Sequence, residues 1–292
     1  MWTWTASTRI KIFGSSLAMS AKSCTGLFGV RDLKMRMPHT LLVLVIGCIL
    51  PSLGQDPGLP SKQTGEEQAR KLWELAIEAK GGRQRLEQVQ SFLETSGKKH
   101  KVVTLYVFPD RYWQWADERP SPFGISVEMY NLEKGLGYLI IGKNPAPRLR
   151  DDTQYAEERL LRAQLMYFME TRWVRPVPTE AKEGVRDGKP VDVIYARWDR
   201  WTVKYVLDKT THLPLAFDSY SQPEDEGLLP QRFADYVAVD GIQLPSSVHY
   251  GLKTAFILIK QSYLINPRYN ERLFEQPPSI KDGPDAWRPL PR

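Results

Sequence analysis

Residues 237–250, VAVDGIQLPSSVHY, hold the residue types of a hydrolytic triad. Asp240, Ser246, Ser247 and His249 supply a carboxylate, two hydroxyls and an imidazole. The serines follow a proline, however, and lack the strand, turn and helix context that exposes a nucleophilic serine. An Asp-Gly turn and a proline at the first residue of a strand explain the same pattern without catalysis. We therefore interpret the segment as a β-hairpin and keep a hydrolase only as a third hypothesis.

Metal and cofactor chemistry is not indicated by the remaining residues. The histidines after residue 54 are His100, His212 and His249, far apart in sequence, whereas a zinc site needs three or four suitably spaced ligands. The acidic run PEDEG at 223–227 is typical of a solvated loop, with calcium binding as the alternative. The glycines of GLGYLIIG precede a strand rather than a helix, so they do not indicate a nucleotide site. The sequence predicts no cofactor and no metal.

The charge of the chain is concentrated at its beginning. The first 54 of the 292 residues carry six basic side chains and one acidic side chain, which accounts for +5 of the formal +6. The rest is close to neutral, which gives no electrostatic reason to expect nucleic acid as a partner. Both cysteines, Cys24 and Cys48, also lie in this leader.

The same leader has the layout of a secretory signal peptide over residues 34–54. Lys34 and Arg36 precede an apolar run at 41–50 that is too short to span a bilayer, which takes roughly 20 residues. We expect cleavage after Gly54, with lipidation at Cys48 or an uncleaved anchor as alternatives. The sequence thus predicts export to the periplasm or cell envelope, with any membrane contact peripheral or through a lipidated Cys48.

Strand patterns dominate the rest of the chain. WTVKYVLD at 201–208 alternates apolar and polar residues, as a half-buried antiparallel strand does, and similar runs recur from residue 101 to 265. Two amphipathic helices are expected, one between Thr64 and Gly82 and one from Asp152 or Thr153 to Thr171. Helix, strands, inserted helix and more strands favour an α+β fold, a strongly curved antiparallel sheet with helices on one face. We expect one domain over residues 55–276 and a proline-rich surface tail over 277–292.

Aromatic and apolar residues are unusually dense in two places. In KVVTLYVF at 101–108 both faces of the predicted strand are apolar, so both must be covered, by core or by an apolar ligand. The aromatic residues of the two clusters are Tyr106, Phe108, Tyr112, Trp113 and Trp115, and then Tyr195, Trp198, Trp201 and Tyr205.

The segment VVTLYVFPDRYWQWADERP resembles a motif of the periplasmic lipoprotein carrier and the outer-membrane lipoprotein-sorting proteins related to it. MYNLEKGLGYLIIGKNP, LDKTTHLPLAFDSY and NERLFEQPPS are similar to later segments of that family, and the second helix takes the place of its lid helix. The resemblance implies a half-barrel with helices in its mouth, a hydrophobic cavity and no catalysis. One position departs from the family, because Phe108 stands where the carrier has an arginine that holds the lid closed.

The resulting hypothesis is a non-enzymatic envelope protein that binds a lipid or an acylated lipoprotein between the sheet and the second helix. The residues predicted to line the cavity are Val103, Leu105, Phe108, Trp113, Trp115, Leu161, Leu165 and Phe168. The alternative is a sensor or scaffold domain with a filled core that binds a protein partner in the envelope.

Overall fold

The computed structural model describes residues 62–97, 101–120, 124–142, 144–149, 152–227, 230–252 and 255–289. The predicted leader over residues 1–54 lies outside the described residues. The helices are α1 (Lys62–Lys80), α2 (Arg83–Glu87) and α3 (Thr153–Phe168). No helix in these ranges has the length and apolar content that crossing a bilayer requires.

The strands are β1 (Ser91–Ser96), β2 (Val102–Val107), β3 (Arg111–Asp117), β4 (Ile125–Asn131), β5 (Leu136–Ile141), β6 (Asn144–Leu149), β7 (Val177–Arg186), β8 (Lys189–Trp198), β9 (Trp201–Asp208), β10 (Pro214–Tyr220), β11 (Gln231–Val239), β12 (Ile242–Leu252) and β13 (Ala255–Ile265).

These strands form one antiparallel sheet in the order β6-β5-β4-β3-β2-β1-β13-β12-β11-β10-β9-β8-β7. The chain begins in the middle of the sheet, runs as a meander to the β6 edge and returns from the β7 edge to pair β13 with β1. Helix α3 is the connection between the two edges. The predicted α+β class, an antiparallel sheet with helices, is confirmed.

The contacts of α3 require the sheet to be strongly curved. Arg159 lies 3.6 Å from Glu128 on β4, while the preceding residue, Glu158, accepts a hydrogen bond of 3.2 Å from Arg200 in the β8–β9 turn. Strands β4 and β9 are eight neighbours apart in the sheet, which in a flat sheet is roughly 40 Å. A helix about 10–12 Å wide reaches both strands only if the sheet wraps around it.

The end of α1 docks on the hairpin that opened the sequence analysis. Gly81 has a φ of 124°, and a Cβ added there would overlap the carbonyl oxygen of Gly241 in the β11–β12 turn. Lys80, which is 1% exposed, donates a hydrogen bond from Nζ to the carbonyl oxygen of Gln243. The Asp240–Gly241 turn is therefore a docking point for the first helix.

Each face of the sheet has its own hydrophobic cluster. The concave face holds the larger one, in which Phe92 of β1 packs against Tyr167 and Phe168 of α3 with ring centroids 5.0–6.5 Å apart. The cluster on the convex face of β2–β4 is covered by the C-terminal segment, through Phe274 and Trp287. Both faces of β2 are thus covered by protein.

The tail predicted over residues 277–292 is more than a surface extension where it is described. Trp287 is only 7% exposed and packs in the convex cluster, and its carbonyl oxygen accepts a 2.9 Å hydrogen bond from the Asn270 backbone. The prolines prevent a regular strand or helix, but they do not prevent one large apolar ring from packing on the sheet.

Candidate functional site

A cleft of about 450 Å³ lies where the two ends of the curved sheet approach each other across α3. Pro109 in the β2–β3 turn and Leu132 in the β4–β5 turn line it on one side. The β8–β9 turn, from Trp198 to Trp201, lines it on the other side. Its remaining wall is formed by α3 and by Trp173 and Val174 in the segment that follows α3, and the cleft is open to solvent.

Large apolar groups that are only partly buried form much of the walls. Trp173, Trp198 and Trp201 keep part of their surface exposed, as do Leu132 and Leu161. Trp198 and Trp201 are directly paired at the end of the β8–β9 hairpin, which brings both indoles to the same side of the cleft. Partly exposed tryptophans in a concave surface gain free energy when a further apolar group covers them.

The wall behind the cleft is rigid aromatic core. The ring of Trp173 lies 6.0 Å from Phe108, which in turn lies 6.2 Å from Phe168. Gln164 in the α3 wall is fixed by hydrogen bonds, because its Oε1 accepts from Thr171 at 2.7 Å and its Nε2 donates to the Leu160 carbonyl at 3.3 Å. The Gln164 amide is therefore already satisfied by the fold.

The eight residues predicted to line a cavity are divided between three places. Leu161 lines the cleft, whereas Phe108, Leu165 and Phe168 belong to the concave core behind it. The other four belong to the convex cluster, on the far side of the sheet: Val103, Leu105, Trp113 and Trp115. Alternate side chains of a strand point to opposite faces, and both faces here are apolar, so the pattern does not reveal which face meets α3.

Part of the interior under α3 is polar. Arg159 stacks 5.1 Å over the Tyr112 ring beside Glu128, and Arg162 donates 2.8 Å hydrogen bonds to Ser219 and Gln231. The two arginines thus attach one face of α3 to both halves of the sheet.

A carboxylate also lies in this interior. Burial raises the pKa of Glu94 to about 7, and Gln261 donates a 2.6 Å hydrogen bond to Glu94 Oε1. A raised carboxyl pKa is a feature of some acid catalysts. Glu94 lies on β1, and its partners are Gln261 on β13 and Tyr167 on α3. Glu94 therefore helps to hold α3 against the sheet.

The hairpin serines have structural partners. Lys260 Nζ lies 2.6 Å from Asp235 and 2.5 Å from the Ser247 hydroxyl, which donates to the same carboxylate. Asp235 interrupts β11 with a φ of 54°, so the three side chains hold an irregular strand in place. Ser247 is 1% exposed, which leaves no access for a substrate.

Comparisons with known proteins were made for the whole chain. No protein-family model matches it, and no curated protein matches it. Several solved structures are similar to it, and three of them are described here. A LolA superfamily protein from Nitrosomonas europaea is 14% identical, with a TM-score of 0.44 over 71% of this chain and 97% of the other. A DUF1329 family protein from Desulfovibrio piger is 12% identical, with a TM-score of 0.43 over 71% and 97%.

The third is a domain from Vibrio parahaemolyticus described as an outer membrane lipoprotein-sorting protein, 12% identical, with a TM-score of 0.40 over 73% of this chain and 96% of the other.

Proposed function

We propose that this protein is a non-enzymatic carrier that binds an acyl chain, from a lipid or an acylated lipoprotein, in the cleft between α3 and the β8–β9 turn. The observation that carries the proposal is the cleft itself, 450 Å³ in volume and walled by three tryptophans, a proline and leucines. That volume lies within the range of small-molecule sites, roughly 300–1,000 Å³.

The composition of the walls supports an apolar ligand. A chain laid against Trp173, Trp198 and Leu161 covers apolar surface that water now contacts, at roughly 25 cal/mol for each Å² removed from water. Polar side chains also line the cleft, and one of them, Gln164, is held by its own hydrogen bonds. The apolar part of a ligand is therefore held against the tryptophans and leucines, and its polar end can lie beside the polar side chains.

The position of the cleft supports a carrier rather than a permanent core. Its walls come from turns at two distant parts of the sheet and from one helix, so a small separation of these elements admits or releases a chain. The contacts of α3 near the cleft are partly exposed, as in the Arg200–Glu158 pair, whose side chains are 53% and 36% exposed. Exposed ion pairs contribute little, about 0–1 kcal/mol, so this end of α3 can move at low cost.

Export belongs to the same proposal. A carrier of acyl chains in the envelope needs the signal sequence that residues 34–54 resemble, and it acts without leaving the periplasm. Mass analysis of the mature N-terminus distinguishes cleavage after Gly54 from lipidation at Cys48.

The proposal is tested with the mature protein and an uncharged fluorescent acyl probe. Leu161→Trp places a large ring in the cleft and is expected to weaken probe binding at least tenfold. Leu264→Trp is the matched control, because Leu264 is 46% exposed and does not line the cleft. Circular dichroism and thermal melting confirm that both variants fold. Failure of the unmodified protein to bind any acyl probe, or equal binding by both variants, rules the proposal out.

A further inference from the structure

We infer that the cleft selects amphiphiles whose polar end is cationic over amphiphiles of equal chain length whose polar end is anionic. The inference rests on the proposed function, since it concerns the polar end of a ligand whose apolar part occupies the cleft. It narrows the class of ligand to amines and quaternary ammonium groups attached to an apolar chain.

The charge of the cleft carries the inference. Among the described residues, three carboxylates line it, Glu157 and Glu158 on α3 and Asp199 in the β8–β9 turn, against one guanidinium, that of Arg200. Arg200 is already engaged by Glu158 at 3.2 Å. Glu157 and Asp199 make no ion pair with any described residue, and they stand on two different elements that line the cleft.

The aromatic walls favour the same charge. The faces of indole rings attract cations, and two of the three tryptophans show this within the protein. The Arg172 guanidinium lies 4.1 Å from the ring centre of Trp173, and that of Arg200 lies 5.5 Å from the ring centre of Trp201. An ammonium group in the cleft would therefore meet carboxylates and ring faces together, the combination that recognises quaternary ammonium ligands.

Besides the guanidiniums already stacked on Trp173 and Trp201, the N-terminus of α3 could attract an anion, and it is already occupied. The first turn of α3 points free N–H groups toward its N-terminus, near Gln154 in the cleft wall. The side chain of Asp152 caps this end, accepting a 3.1 Å hydrogen bond from the Tyr155 backbone. The helix terminus is thereby neutralised by the protein's own carboxylate.

The test compares decyltrimethylammonium with decanoate, both below their micellar concentrations, by isothermal titration calorimetry on the mature protein at pH 7.5. We expect the ammonium to bind at least tenfold more tightly, with a preference that shrinks as salt screens the charges. The double variant Glu157→Gln/Asp199→Asn is expected to lower the preference at least fivefold by weakening ammonium binding and strengthening decanoate binding.

The control is Glu67→Gln/Asp240→Asn, which makes the same charge change at exposed residues that do not line the cleft. Asp240 and Asp199 both have a φ of 50°, so asparagine must adopt the same left-handed backbone conformation in the variant and in the control. Equal binding of the two probes, unchanged by the double variant, overturns the charge preference and leaves the carrier proposal standing. Binding of neither probe refutes the carrier proposal and this inference with it.

Discussion

Lys80 gives a quantitative prediction, because it is a buried amine at the joint between α1 and the β11–β12 hairpin. It is 1% exposed, donates to the Gln243 carbonyl and lies 5.4 Å from the ring centre of Tyr236. Burial lowers its pKa from 10.5 to about 7. Since the unfolded chain keeps the higher pKa, it binds more protons than the folded protein between pH 7 and pH 10.5, and stability rises with pH across that window.

The size of the effect follows from the two pKa values. A fall in the pKa from 10.5 to about 7 changes the free energy of unfolding by about 5 kcal/mol between the two ends of the pH window. Lys80→Met keeps an unbranched apolar side chain, one atom shorter, and removes the titrating amine, but it leaves the Gln243 carbonyl without its partner at a cost of about 1–3 kcal/mol. We therefore expect the methionine variant to be about 2–3 kcal/mol more stable than the original protein at pH 7, with the difference vanishing or reversing near pH 10.

Urea unfolding of both proteins at pH 6, 7, 8, 9 and 10 measures this difference. Contributions to stability from groups that titrate alike in the two proteins cancel in the comparison. Lys71→Met, at an exposed position of α1, is the control and is expected to show no pH-dependent difference. A constant stability difference across this range, or a Lys80→Met protein that is less stable at pH 7, would refute the reasoning.

Three further predictions test other parts of the structure. Because the pKa of Glu94 is raised from 4.5 to about 7, the folded protein binds more protons than the unfolded chain between these values, and stability falls as pH rises through the interval. Glu94→Gln is expected to abolish this loss of stability, measured by urea unfolding at pH 5 and pH 8. Gly81→Ala is expected to cost more than about 2 kcal/mol in thermal unfolding, because of its positive φ and its overlap with Gly241, whereas Gly135→Ala, with open space around it, should cost less. Trp287→Ala should lower the free energy of unfolding by about 3–5 kcal/mol without changing the affinity for an acyl probe, because Trp287 packs on the convex face. A large change in affinity would contradict that placement.

Several strands could be predicted from the sequence, and others could not. Strand β9 has the ends that its alternation predicts, Trp201–Asp208. Strand β1, SFLETS, escaped because Phe92 and Leu93 are both apolar, each packing on a different face of the sheet. The edge strands β6 and β7 escaped because one contains two prolines and the other is rich in charged residues, both common at sheet edges.

The candidate site was less accessible to sequence reasoning than the fold. Trp198 and Trp201 stood out as part of an aromatic cluster, but nothing local connects them with Pro109 or Leu132, which only the curvature of the sheet brings near. The helix α3 was expected as the covering element, and Leu161 on it does line the cleft. The faces of β2 and β3 were undetermined because the C-terminal segment, which covers one of them through Trp287, shows no regular pattern.

The central claim, an acyl chain in the cleft along α3, is tested most directly by photo-crosslinking. A long-chain alcohol carrying a diazirine in its alkyl chain is bound to the mature protein, irradiated, and the labelled peptides are identified by mass spectrometry. The cleft predicts labels on residues 154–164 of α3 and on the Trp198–Trp201 turn. Labels confined to the convex face around Trp113 and Trp287, or no specific label at all, would contradict the account.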